Sequence, residues 1–254
     1  MMRSRYKLFA VGLLSSLLVL VGGTAAASEP LQQVLDKVAS VYGATPPAAI
    51  RETGTTSSFV RGSGAMLRLF RAPDRFRSEI SYASGAEVRT MIGNLAWQQN
   101  TPASPVLRGA VALQVARIGL PWNMLAQPSA TVDMGSTVNA EGKPVRVIEL
   151  TLEPQLKLLI EIEIETGYIV RSRGMFSAEG KTVDFSTTYS DFRPENGRIH
   201  ASREEQYAMG RHIGNSVIEQ VEYPQTIPDS AFTPDAYISA QLSSGFGLTA
   251  RASR

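Results

Sequence analysis

Residues 156–165 alternate between apolar and charged side chains. Leu156, Leu158, Ile160, Ile162 and Ile164 fall on one side of an extended chain, and Lys157, Glu161, Glu163 and Glu165 on the other, with Leu159 the exception. Successive side chains of a β-strand point to opposite faces, so this period of two predicts a strand with one covered face in an antiparallel sheet. The glutamates then read as a solvated acidic face rather than a carboxylate pair or a calcium site. The same rhythm runs along much of the chain. Met66, Arg68 and Phe70 alternate with Leu67, Leu69 and Arg71, while Phe76, Ser78, Ile80 and Tyr82 oppose Arg77 and Glu79. Phe59 to Arg61 lie in a Thr/Ser-rich stretch of strand character. Turn signals separate the runs at Pro73-Asp74, Ser84-Gly85, Gly93-Asn94, Thr166-Gly167, Glu179-Gly180, Asn196-Gly197 and Met209-Gly210. Short strands punctuated about every 8–12 residues describe an antiparallel meander. Pro224, Pro228 and Pro234 end it.

Two segments break the period. Leu31, Val34, Leu35, Val38 and Val41 recur at helical spacing, and residues 42–47 stop that helix. Residues 109–126 are apolar nearly all round, with Gln114, Arg117 and Asn123 the clearly polar members, and Pro121 divides them into two helical pieces. A helix without a polar face must be covered on more than one side. The residues themselves leave open whether this insertion is ordinary core or a movable cover.

The first residues have the three zones of a secretory leader: Arg3, Arg5 and Lys7, then an apolar run over residues 8–21, then Ala25 and Ala27 in a small-x-small pattern. The apolar run is shorter than the roughly 20 residues a spanning helix needs. The expected organisation is a leader over residues 1–27, one domain over 28–235, and a tail over 236–254 of small and polar residues. The full chain has 25 basic and 23 acidic residues; a leader that takes three bases and no acid leaves 22 against 23, a net charge of −1. That balance argues against a nucleic-acid partner. With no cysteine, disulfides, thiolate metal sites, cysteine nucleophiles and lipid attachment at a cysteine are all excluded. The expected product is soluble and periplasmic.

Enzymatic signatures are sparse. His200 and His212 lack metal-ligand spacing. Ser63 sits between Gly62 and Gly64 without the five-residue nucleophile elbow. Neither a phosphate loop nor a dinucleotide fingerprint occurs. Glu204-Glu205 and residues 191–193 read as solvated strand and turn charges. No cofactor or metal is expected.

Four passages carry a family resemblance: residues 66–80 (MLRLFRAPDRFRSEI), 91–99 (MIGNLAWQQ), 150–173 with their Thr166-Gly167 turn, and 189–197 (YSDFRPENG) together with 227–234 (IPDSAFTP). In this order they resemble the outer-membrane lipoprotein carrier and sorting superfamily, the LolA/LolB-like periplasmic proteins. The resemblance spans about residues 30–235. It implies an α+β, mainly β fold: a single curved antiparallel sheet forming an incomplete β-barrel, with helices covering the concave side. It further implies a carrier or binding protein for lipid or acylated protein, in transient contact with inner- and outer-membrane components. A sensing module of the same fold is the alternative, and a hydrolase a more distant one. On this reading the insertion is a lid. Val115, Ile118, Trp122 and Met124 from the lid, with Leu158, Ile160, Ile162 and Phe185 from the sheet, would touch acyl chains. Where the carriers have an arginine before the turn proline that helps hold the lid shut, this chain has Ala72, which leaves Arg71 and Arg77 as lid-latch candidates.

Overall fold

The computed structural model describes residues 30–178 and 180–234. The leader expected at 1–27 and the tail expected at 236–254 lie outside the described residues, as does Glu179 of one expected turn. Helix α1 (Leu31–Tyr42) precedes six strands: β1 (Ala49–Ser58), β2 (Gly62–Arg71), β3 (Arg75–Tyr82), β4 (Gly85–Ile92), β5 (Leu95–Gln98) and β6 (Thr101–Pro102). Helices α2 (Pro105–Ile118) and α3 (Trp122–Ala126) follow. Seven more strands follow among the described residues: β7 (Thr131–Val138), β8 (Pro144–Glu153), β9 (Leu156–Glu163), β10 (Ile169–Ala178), β11 (Lys181–Glu195), β12 (Arg198–Ala208) and β13 (Arg211–Glu222).

All 13 strands form one sheet in the order β6-β5-β4-β3-β2-β1-β13-β12-β11-β10-β9-β8-β7. Every pairing is antiparallel. The last strand returns to the first, with Arg51 opposite Glu222 and Ser58 opposite Gly214. The outermost strands β6 and β7 do not pair with each other, so the barrel is incomplete, as the resemblance implies. Phe59 to Arg61, expected as strand, form the β1–β2 turn.

Helix α2 lies on the inner face of this sheet. Ser104 caps it, its side chain accepting from the Leu107 N–H at 3.3 Å, and Pro105 stands in the first turn, where its missing N–H costs nothing. The helix crosses the inner face from β10 to β4 and β5. Arg108 ties both sides together: it donates to the Asn94 carbonyl at 2.9 Å beyond β4, and to Glu153 of β8 at 2.6 and 3.0 Å. Two glycines make the close seat on β10. A Cβ on Gly174 would lie 2.3 Å from Leu113, and one on Gly109 would lie 2.6 Å from the Phe176 ring. Gly119 and Pro121 end α2, and α3 follows.

The main core lies between these helices and the inner face. Leu158, Ile160 and Ile162 are fully buried there with Val111, Leu113 and Ile148. Full burial of each such side chain contributes about 1.5–3 kcal/mol. The β9 alternation therefore reports the inner face correctly. Its acidic side is less simple, because Glu163 is buried and held by Lys143 at 2.8 Å and by Thr166 at 2.6 Å.

A smaller core sits on the outer face. The closing segment, with a short helical turn at Asp229–Phe232, places Ile227 and Phe232 over Ala49, Leu67 and Leu69. Arg71 and Arg77 serve this segment. Arg71 donates to the Ile227 carbonyl at 2.6 Å and pairs with Asp229. Arg77 donates to the Thr233 carbonyl at 2.9 Å and binds Glu79. The period of two explains the placement. Met66, Phe70 and Phe76 point inward, so Arg71 and Arg77 point outward, away from the helical cover they were expected to latch.

Candidate functional site

The helices cover only part of the inner face. Beyond α2 the strands β1, β2, β12 and β13 carry polar side chains inward. Arg68 of β2 is largely buried, with Nε 2.8 Å from Glu52 of β1 and its two terminal nitrogens 3.0 and 3.1 Å from Glu204 of β12. Burial pushes the Glu52 carboxyl above its usual range, against the pull of Arg68. Gln206, Ser216 and Thr56 continue the strip, with Gln206 donating to Ser216 at 3.0 Å and Thr56 and Ser216 bonded at 3.1 Å. Glu204 is thus an interior ion-pair partner and not a solvated strand charge.

Of the cavities beside α2, two meet this polar strip. The first has about 660 Å³ of empty space, its open mouth included, and its apolar wall includes Ile50, Ile118, Leu120, Trp122, Ile199 and Ile218. Glu52, Arg68, Glu204 and Tyr189 supply its polar floor. The second, about 800 Å³ counted the same way, lies further toward the start of α2, against Val106, Leu107, Phe185, Thr187 and Tyr207. Arg117 belongs to the walls of both. Its Nε donates to Ser172 at 3.0 Å and one terminal nitrogen to the Phe185 carbonyl at 2.7 Å. Burial pulls its pKa below the ordinary arginine value.

Of the expected contact residues, Ile118 and Trp122 line the first cavity and Phe185 lines the second. Leu158, Ile160, Ile162 and Met124 are buried in the core that supports α2 and α3 and line neither cavity. Val115 packs half-buried against that core. Alternation identified the inward residues, but α2 lies over those of β9 and β10, so the free surface falls elsewhere.

Another arginine holds the helical cover. Arg198 of β12 donates to the carbonyls of Tyr42 at 2.6 Å and Thr45 at 2.9 Å, which follow from the end of α1. Its guanidinium also lies over the rings of Trp122 at 5.1 Å and Tyr223 at 5.4 Å. Trp122 in turn donates its indole N–H to the Gly43 carbonyl at 2.8 Å. One strand residue thereby ties α1 and α3 at the edge of the first cavity. Its hydrogen-bond acceptors are more than 150 positions away in sequence, and no local signal marks it.

The polar groups offer little for catalysis. Ser172 bonds Tyr189 at 2.8 Å and accepts from Arg117. Burial pushes the Tyr189 hydroxyl up to about 12, so it cannot serve as a base at neutral pH. His200 lines the first cavity, with Glu195 3.6 Å away; His212 is bonded to Glu205 at 2.5 Å. Among the described residues no group of three or more His, Asp or Glu side chains is placed to hold a metal.

No family model and no curated protein matches the sequence. Solved structures do match. A LolA superfamily protein from Nitrosomonas europaea is similar over 80% of this chain and 96% of its own, at 14% identity and a TM-score of 0.53. A DUF1329 family protein from Desulfovibrio piger matches over 81% of this chain and 98% of its own, at 9% identity and a TM-score of 0.49. The unclosed 13-strand sheet with its crossing helix is a LolA-like fold.

Proposed function

We propose that this chain is a periplasmic binding or carrier protein for lipid or acylated protein. The observation that carries the reading is the partial cover: α2 and α3 leave an open cavity on the inner face with Ile118 and Trp122 on one wall and Ile50, Ile199 and Ile218 on the other. An acyl chain entering it would gain about 0.8 kcal/mol per methylene removed from water. The ties that hold the cover at this edge are polar: Arg198 to two carbonyls and Trp122 to a third. Such bonds exchange with water at a modest net cost, about 0.5–1.5 kcal/mol for the indole bond and about 1.5–3 kcal/mol for each guanidinium bond, so the edge can open and reclose. The leader expected at 1–27 supports a periplasmic location, where transient contacts with inner- and outer-membrane components would load and unload the cavity. The absence of an activated nucleophile beside Ser172 favours binding over hydrolysis.

Native mass spectrometry of protein purified from periplasm tests the reading. A co-purified lipid is expected, as is binding of a fluorescent acyl probe. Ala201, on the cavity wall, provides the specific control: Ala201→Trp should fill the space and weaken probe binding at least tenfold while the fold persists. A clean apoprotein that also ignores acyl probes would sink the proposal.

A further inference from the structure

The junction of the two cavities is charged in a way that simple acyl-chain binding does not require. Arg117 reaches this junction from α2 and lines both cavities. Both of its acceptors, the Ser172 hydroxyl and the Phe185 carbonyl, are neutral, and among the described residues it has no carboxylate partner. The carboxylates of its surroundings are engaged elsewhere. Glu204 gives both oxygens to Arg68, and Asp184 is held by Arg173 at 2.7 Å. Burying a cation away from its counter-ion is costly, and the cost falls when an anion arrives. Arg68 shows the contrast within the same interior: its guanidinium lies between two glutamates and has no need of a ligand.

We infer that Arg117 is an anion-binding residue, and that the ligand is a single-chain amphiphile whose carboxylate or phosphate sits at the junction while its chain lies along Ile118, Leu120 and Trp122. This assignment rests on the acyl-chain reading above and narrows it to a ligand class. The guanidinium keeps a terminal nitrogen, Nη1, without a protein acceptor. A carboxylate or phosphate oxygen there would form a charge-assisted hydrogen bond, the stronger kind. The raised Glu52 pKa works in the same direction, since a more readily protonated Glu52 lessens the negative charge of the floor.

The test compares three ligands of equal chain length on the delipidated full chain: palmitate, hexadecyl phosphate and hexadecanol, each displacing a fluorescent acyl probe at pH 8. At least one anion should bind about tenfold or more tightly than the alcohol. A lead for palmitate names a carboxylate ligand, and a lead for hexadecyl phosphate names a phosphate. Arg117→Gln should bring the ratio of anion to alcohol affinity to about one, and Arg117→Lys should restore a preference. Equal binding of all three by the wild type, or a preference that survives Arg117→Gln, overturns the anion site and leaves the acyl-chain reading standing. Binding of none of them overturns both. Should Arg117→Gln fail to fold, carbon-13 NMR of carboxyl-labelled palmitate in the wild type decides. Ionisation below the ordinary carboxylate range supports the contact with Arg117, and an unshifted or raised value refutes it.

Discussion

Replacing Gly174 by alanine probes the seat of α2, on which the cavity geometry depends. The new methyl carbon would lie 2.3 and 2.4 Å from the two terminal carbons of Leu113 and 2.8 Å from its Cγ. Leu113 is fully buried, so it cannot swing into solvent to make room. Overpacking of this kind costs about 1–3 kcal/mol. Restricting the unfolded chain returns about 0.4–1 kcal/mol, which does not cancel it. The net expectation is a loss of about 1–2 kcal/mol, or a fall in melting temperature of about 2–4 °C for each kcal/mol in a domain of this size. Leu113→Ala alone should cost about 2–5 kcal/mol through the cavity it leaves. In the double variant the alanine methyl at 174 enters that cavity. The pair should therefore be less destabilised than the sum of the singles by at least about 1 kcal/mol. Urea midpoints at constant slope measure all three variants. Additivity within about 0.5 kcal/mol would mean that α2 does not rest on β10 at Gly174, and the division of the inner face into two cavities would fall with it.

Two further outcomes are expected. Arg198→Met leaves the carbonyls of Tyr42 and Thr45 without their donor and should lower stability by about 1–3 kcal/mol while speeding acyl-probe entry; an unchanged melt and entry rate would show that Arg198 does not hold the cover. His200 has its pKa lowered by burial, with Arg193 adding to the effect and Glu195 opposing it. The unfolded chain then takes up the proton first, so stability contributed by neutral His200 is present above the ordinary histidine value of about 6.5 and is lost as pH falls through the folded value. His200→Gln should flatten stability across that acidic window, and a pH profile identical to the wild type would exclude the residue as a contributor.

The architecture was legible to the extent that it depends on local pattern. Alternation in β9, proline and glycine at the turns, and the break at Pro121 each appear in the structure where the sequence placed them. The site was legible only in part. Ile118 and Trp122 could be selected because a helix apolar on every side must touch something. Arg68, Glu52 and Glu204 could not, because a charged residue in an alternating strand normally marks the solvent face. Here three such residues turn inward and satisfy one another. Arg71 and Arg77, the lid-latch candidates, bind the closing segment on the outer face instead, and nothing in the local pattern of that segment says where it docks.

By itself the sequence determined the strand period, the turn positions and the two-piece apolar insertion, since each follows from the local geometry of the backbone and the side chains that geometry exposes. It also determined the absence of thiol chemistry, with no cysteine in the chain. Only the tertiary structure decided which inward-facing residues meet α2 and which meet open space. That division depends on the close approach of Leu113 to Gly174 and of Phe176 to Gly109, contacts between residues 61 and 67 positions apart. It also decided that Arg117 would line two cavities without a carboxylate partner among the described residues, because where α2 crosses the sheet is set by packing and not by any pattern along the chain.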